Sequence, residues 1–353
     1  MILVAFGTRP EIIKLFPVIH ELKHRSIPHK ILFTGQHLDL YEDVRTLVPD
    51  PDFSFTEILS RPGKDNTLGE SYHKICGAAE GLFRDIPFET VLVQGDTTTA
   101  LAIAQMAFYN NIGVAHVEAG LRTFDMGNPY PEELNRTLIS RIAEINFAPT
   151  RQAVHNLVRE DAKNIHLVGN TIVDAVNHFK QKMAWRPKSS NKVLVTLHRR
   201  ENHVVMDRLF DEVQNIAVTN TDLDFIWPLH PNPHVQKHRK RLSAPNIRIV
   251  EPVGYPEMLE LINEVCFIIT DSGGIQEEAT CLNKKVLVAR EKTERTETID
   301  IGLGRLVGRT ISASVPWARI APPPLSESPY GDGDAANKIV AILSGEEKRG
   351  ADT

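Results

Sequence analysis

Cysteine is scarce in this chain: 353 residues contain three, Cys76, Cys266 and Cys281, scattered without CxxC spacing. That excludes a disulfide framework and a cysteine zinc site, and it points to a reducing, cytoplasmic compartment. No uninterrupted apolar run approaches the about 20 residues needed to span a bilayer, so no membrane partner is expected. The apolar opening Met1–Phe6 has no basic stretch before it, and Arg9, Glu11 and Lys14 follow it, which is not a signal-peptide pattern. Positive charge is not in excess either. With 40 Lys+Arg against 45 Asp+Glu the net charge is −5, so the footprint of a nucleic-acid binder is missing. Internal repeats and low-complexity tracts are absent. What remains is a globular balance of 42% hydrophobic and 24% charged residues, over a length that suggests two domains.

Short runs rich in Val, Ile and Leu alternate with amphipathic stretches. The runs are 1–6, 30–34, 90–94, 113–117 and 144–148, then 192–197, 225–229, 247–250, 266–270 and 285–289. Near-continuous hydrophobicity over five or six residues marks strands covered on both faces. The intervening segments, such as 11–25 and 98–110, repeat apolar residues at helical spacing. Strand–helix alternation predicts an α/β fold with parallel sheets and right-handed crossovers. The alternation pauses at QKMAWRPKSSN (181–191), read as an interdomain linker between a domain over 1–180 and one over 192–333. A second irregular stretch, 312–329, holds Pro316, Pro322–Pro324 and Pro329 and reads as a loop leading to a last helix over 334–343.

Open parallel sheets bind ligands beyond the carboxyl ends of their strands, and the chemistry-bearing residues fall there. The first run ends in GTRPE (7–11), with Pro10 suited to a helix first turn and Arg9 and Lys14 adding charge beside amides that attract anions. It is not a P-loop, because GxxxxGK[ST] is missing. The third run ends in GDTTT (95–99), leaving Asp96 at a tip. The fourth ends in HVEAGLRT (116–123), leaving Glu118 at another, and PEELNR (131–136) places Glu132 and Glu133 in a helix first turn. Clustered carboxylates with a base nearby split into acid and base roles, so at least two of Asp96, Glu118 and Glu132 are expected to move protons.

The second half repeats the pattern. Its strand ends carry HRREN (198–202), HPNP (230–233) and DSGGIQEEA (271–279). Ser272, Gly273 and Gly274 allow bare amides to meet a phosphate, and Glu278, one turn later, suits a ribose diol. REKTER (290–295) adds Arg290, Lys292 and Arg295 as further cations. His198, His203, His230, His234 and His238 lack a tight ligand set, so no metal is expected.

GTRPE, GDTTT, HVEAGLRT, PEELNR, VGNTIVD (168–174), HRREN, HPNP, DSGGIQEEA, TER (293–295) and PYGDG (329–333), in this order, closely resemble the non-hydrolysing UDP-N-acetylglucosamine 2-epimerases. The resemblance covers almost the whole chain. It implies a GT-B architecture: two Rossmann-like domains whose sheets face a central cleft, with the tail 334–353 packed back on the first. It implies reversible inversion at C2 of UDP-N-acetylglucosamine (UDP-GlcNAc), giving UDP-N-acetylmannosamine for surface polysaccharide synthesis, through elimination of UDP to 2-acetamidoglucal and re-addition. Asp96, Glu118, Glu132 and His198 would be catalytic. Arg9, Lys14, His198, Ser272, Gly273, Gly274 and Glu278 would hold UDP. The resemblance implies no cofactor and a homodimer.

The motifs also leave room for a 2-epimerase of a modified UDP-sugar, such as a diacetamido or uronic acid derivative. A glycosyltransferase on the same fold fits less well, since it does not need three clustered carboxylates. Two departures from the family pattern stand out. Thr296 replaces the proline of TERPE. In the segment that helps form a second, activating UDP-GlcNAc site, GQHLDLY (35–41) has Leu38 in place of a basic residue and Asp39 beside it, and Asn66 stands where an arginine is common. The candidates for that second site are Gln36, His37, Arg199 and His230, and substrate activation is expected to be weak or absent.

Overall fold

The computed structural model describes residues 1–36, 44–59, 66–183, 190–325 and 327–346. Two compact units emerge, one from Met1–Ala175 together with the segment from Tyr330 onward, the other from Val176–Pro329. The helix Thr171–Met183 carries the division between Ala175 and Val176, ahead of the linker expected at 181–191. Within that linker, residues 184–189 lie outside the described residues.

Among the described residues, the first unit holds a seven-stranded parallel sheet. Its strands are β1 (Ile2–Phe6), β2 (His29–Phe33), β3 (Phe53–Ser54), β4 (Thr90–Gln94), β5 (Gly113–Val117), β6 (Ile145–Ala148) and β7 (Ile165–Leu167). They lie in the order β3-β2-β1-β4-β5-β6-β7, with Val4 opposite Ile31 on one side and Leu92 on the other. The chain leaves β1 towards β3 and returns to build outward from β4, so the topological switch point falls between β1 and β4. All five residues of β1 are buried, as expected of a central strand with helices on both faces. The helix Thr98–Tyr109 runs alanine-rich along the sheet, and Ala100, Ala102, Ala104 and Ala107 pack into one core with Leu3, Val91 and Val93.

The second unit holds six strands: β8 (Lys192–Thr196), β9 (Asp224–Pro228), β10 (Ile247–Val250), β11 (Phe267–Thr270), β12 (Lys285–Val288) and β13 (Gly304–Leu306). Their order, β10-β9-β8-β11-β12-β13, puts its switch point between β8 and β11. Its core gathers Val193, Val195, Phe210, Trp227 and Phe267. Both sheets are parallel throughout, as the unbroken apolar runs require.

Two expectations need correction. The stretch 312–329 is not loop throughout: Val315–Arg319 forms a short helix, with Pro316 in its first turn, where the missing N–H costs nothing. The edge strands β3, β7 and β13 were not visible as apolar runs. They are only two or three residues long and half-exposed.

The C-terminal helix Ala335–Leu343 packs within the first unit against the helix Arg9–His24. Asp174 Oδ1 accepts the Ala336 N–H at 3.0 Å, and Arg25 bonds Asn337. No helix among the described residues is long and apolar enough to cross a membrane.

Candidate active site

Each unit concentrates its polar residues at the carboxyl ends of the strands flanking its switch point. In the first, Gly7 ends β1 where a β-carbon would collide with the hydroxyls of Thr34 and Thr99. Glycine is therefore dictated by close approach of the chain. The helix starting at Arg9 has Pro10 in its first turn and carries Lys14 one turn in.

Lys14 Nζ donates to Glu118 Oε2, and Gln94 Nε2 donates to the same oxygen at 2.6 Å. The three residues come from the helix after β1, the end of β4 and the turn after β5. Glu118 adopts φ +65°, a left-handed conformation that costs a non-glycine residue of order 1–3 kcal/mol and that clusters at functional sites. The strained turn points the carboxylate to the ammonium and amide instead of continuing the strand.

Asp96 stands one strand away. Arg136 Nη2 donates to Asp96 Oδ2, and Asn135 Nδ2 donates to the Asp96 carbonyl at 2.8 Å. Both partners sit on the helix Glu132–Ile142, whose first turn carries Glu132 and Glu133. The two glutamates differ. Glu133 is fully buried and accepts the N–H groups of Thr123 and Phe124 at 2.9 and 2.8 Å, so it holds the loop after β5. Glu132, half-buried, stands at the very start of the same helix.

In the second unit, β8 and β11 are neighbours and the hydroxyls of Thr196 and Thr270 meet across them at 2.6 Å. Asp271, fully buried, accepts the N–H of His198 at 3.0 Å, that of Arg199 at 2.9 Å and the Asn202 amide at 3.0 Å. It thus binds the HRREN turn to DSGG. The His198 ring is one-third exposed and stacks on His230 with centroids 5.1 Å apart and planes within 8°. Burial lowers the His198 pKa from its ordinary value, against the pull of Asp271, and favours the neutral ring. His230 Nδ1 accepts the Asn232 N–H at 3.1 Å, which leaves its proton on Nε2.

Ser272 occupies the N-cap position of the helix Gly273–Cys281, with no capping bond from its side chain. Its own amide donates to Thr270 Oγ1 at 2.9 Å, so the amides of Gly273 and Gly274 are the better candidates for an anion. A β-carbon on Gly273 would meet the Arg295 guanidinium. The REKTER arginines are not the free cations expected from sequence. Arg290 pairs with Glu201 and Glu294, each at 3.1 Å, and Arg295 pairs with Glu277 at 2.8 Å and with Glu294. These buried pairs brace the loop after β12 and leave little charge for a ligand. Glu278 is buried one turn into the same helix.

The second-site candidates separate. Gln36 accepts the N–H and hydroxyl of Thr99 at 3.1 and 2.9 Å, His230 belongs to the histidine stack, and the Arg199 amide is held by Asp271. His37, with Leu38 and Asp39, lies outside the described residues. Among the described residues no three of His, Cys, Asp and Glu gather as a metal-ligand set.

Residues 20–344 match the family model described as UDP-N-acetylglucosamine 2-epimerase. The UDP-N-acetylglucosamine 2-epimerase of Campylobacter jejuni is 37% identical over 97% of each chain. That of Bacillus subtilis is 36% identical over 97% of this chain and 94% of its own. The chain belongs to the non-hydrolysing UDP-N-acetylglucosamine 2-epimerase family. The Neisseria meningitidis family member, solved bound to UDP-GlcNAc, superposes with a TM-score of 0.87 at 35% identity, covering 97% of this chain and 99% of that one. The Methanocaldococcus jannaschii epimerase, in complex with UDP-GlcNAc and UDP, gives 0.86 at 34% identity over 97% and 99%. MurG of Acinetobacter baumannii shares the GT-B fold alone, at 12% identity and a TM-score of 0.57.

For an epimerase of this family, several residues beside the expected ones are part of the site's construction. Gln94, Asn135, Arg136, Asp271 and Asn202 receive no role from sequence, although the last four lie within PEELNR, DSGGIQEEA and HRREN. Two weak signals exist: Gln94 is the polar residue ending an apolar run, and Arg136 lies one helical turn after Glu132.

Proposed function

We propose that the protein interconverts UDP-GlcNAc and UDP-N-acetylmannosamine by elimination and re-addition of UDP. One carboxylate among Asp96, Glu118 and Glu132 takes the C2 proton as the C1–O bond to UDP breaks and the C1=C2 double bond of 2-acetamidoglucal forms. UDP then re-forms the C1–O bond while another of these groups returns a proton to the opposite face of C2. The proton at C2 is weakly acidic, so the base must be fixed and desolvated.

The observation that carries this reading is Glu118, buried in a left-handed turn and held by Lys14 and Gln94, one strand from the Arg136-paired Asp96. Carboxylates set in contrasting surroundings are what a two-proton exchange needs. For the departing UDP, the first-turn amides of Gly273 and Gly274 and the neutral His198 supply donors to the growing negative charge. The relatives solved with UDP-GlcNAc and UDP support the same ligand. A cytoplasmic homodimer supplying surface polysaccharide synthesis is part of this reading.

Incubation with UDP-GlcNAc in deuterated water tests it by proton NMR. Deuterium at C2 together with UDP-N-acetylmannosamine is the expected result. No C2 exchange would exclude this substrate and turn attention to a modified UDP-sugar, and free N-acetylmannosamine would mean a hydrolysing enzyme.

A further inference from the structure

Asp96 stands on a short turn that is gripped at each residue. Gly95 takes φ +68°, and its carbonyl accepts from Nε2 of the buried His116 at 2.7 Å. The Asp96 carbonyl accepts from Asn135. Thr97, which caps the helix Thr98–Tyr109 by accepting the Ala100 N–H at 2.9 Å, donates its hydroxyl to Glu11 Oε1 at 2.8 Å.

The second oxygen of Glu11 faces the other way. Oε2 accepts the Gly7 N–H at 3.1 Å and the Thr8 hydroxyl at 2.7 Å. A single carboxylate, 1% exposed, therefore ties the end of β1 to the turn after β4, across the switch point of the sheet. Its partners among the described residues are hydroxyls and amides, and burial pushes its pKa up to about 7. A buried carboxylate without a paired cation is a poor source of stability. Its value is geometric: an ionised carboxylate is an acceptor at both ends, and donors arrive here from two loops.

We propose that Glu11 is a positioning residue, which through Thr97 fixes the turn that aims Asp96 at the C2 proton without itself touching the substrate. This inference rests on the epimerase reading above. Positioning errors of about 1 Å can cost on the order of 100-fold in rate. Glu11→Ala is therefore expected to lower kcat for C2 exchange by roughly 10- to 100-fold, with KM kept within about threefold. Glu11→Gln recovers most of that loss, because its carbonyl still accepts from Gly7 and Thr8 while the Thr97 hydroxyl turns to accept from its amide. Thr97→Val reproduces Glu11→Ala, Thr97→Ser recovers it, and the double variant Glu11→Ala/Thr97→Val is no slower than the slower single.

The measurements are steady-state kcat and KM, C2 deuterium exchange, and a melting curve for each variant. Should Glu11→Ala fail to fold, the Thr97→Val and Thr97→Ser pair with Glu11→Gln carries the same comparison. Multiplying losses, or a change in KM alone, would overturn the proposal. Wild type that exchanges beside an equally fast Glu11→Ala sinks this inference alone. Wild type without exchange sinks the epimerase reading and this one with it.

Discussion

Lys14 and Glu118 form an ion pair whose side chains are 6% and 5% exposed, so neither charge has water to fall back on. Removing one partner of such a pair leaves an uncompensated buried charge, typically at a cost of about 3–5 kcal/mol. Lys14→Met is expected to destabilise the first unit by that order in urea unfolding and to abolish C2 exchange. The double variant Lys14→Met/Glu118→Gln should regain much of the stability, because both charges are gone, and stay inactive. A stable but active Lys14→Met would remove the pair from the chemistry.

The central strands of both sheets are legible from sequence for a physical reason. β1, β4, β5, β8 and β11 are covered on both faces, so their interiors are apolar, with the buried His116 of β5 the exception. Three of the four outermost strands, β3, β7 and β13, escape for the converse reason, whereas the edge strand β10 shows as the run 247–250. In β7, Ile165 and His166 are half-buried and Leu167 is exposed, and in β13 only Gly304 is buried, so neither writes a hydrophobic pattern. The helix Val315–Arg319 is hidden by Pro316, which reads as a breaker until its place in the first turn is known.

The acid side of the stability curve should carry the mark of Asp174. Burial raises its pKa from 3.8 to about 6, although the Ala336 N–H bond opposes the shift. The folded state therefore binds the proton more tightly than the unfolded one. This group's contribution is full below about pH 3.8 and is lost as pH rises to about 6. Asp174→Asn keeps an acceptor for the start of the last helix and removes the titration. The unfolding free energy of wild type, relative to Asp174→Asn, is expected to fall between about pH 4 and pH 6 and stay level above. A flat difference in urea titrations across that range would contradict it.

The candidate site is legible where polar or glycine residues follow an apolar run, as with Asp96, Glu118 and the glycines of DSGG, which the structure places at strand ends. It is not legible where pairing decides. Arg290 and Arg295 look like ligand-seeking cations until Glu201, Glu277 and Glu294 are found against them. The resemblance singles out Glu132 over its neighbour, and the structure shows what sets Glu133 apart: it is fully buried and accepts two backbone N–H groups. Glu201 lies far from Arg290 in the chain, and Glu294, although inside REKTER itself, gives no sign in sequence that it turns to the arginines.

Gly273 and Gly274 should respond differently to one added methyl group. On Gly273 it meets the Arg295 guanidinium, which cannot swing away freely because Glu277 and Glu294 hold it. Gly273→Ala is expected to lose about 1–3 kcal/mol, as overpacked sites do. UDP binding should weaken at least tenfold, read by calorimetry. On Gly274 the nearest atom is Glu278 Oε1 at 4.0 Å, so Gly274→Ala should cost no stability in a melting curve. Equal melting temperatures for the two variants would show that Arg295 yields.

Substrate activation is expected to be weak or absent, on grounds of charge. A second diphosphate needs cations. In this chain Leu38 stands where many bacterial members of the family carry a basic residue, Asp39 adds a negative charge beside it, and Asn66 replaces a common arginine. Asn66 itself is engaged: it donates to the Leu59 carbonyl and accepts from Lys74 Nζ at 3.1 Å. Gln36 is likewise committed to Thr99. Initial rates should therefore stay hyperbolic in UDP-GlcNAc, and UDP-N-acetylmannosamine should turn over with no UDP-GlcNAc added. A sigmoidal curve, or a reverse reaction that waits for added UDP-GlcNAc, would mean that other cations, with Lys74 the first to replace, hold the second diphosphate.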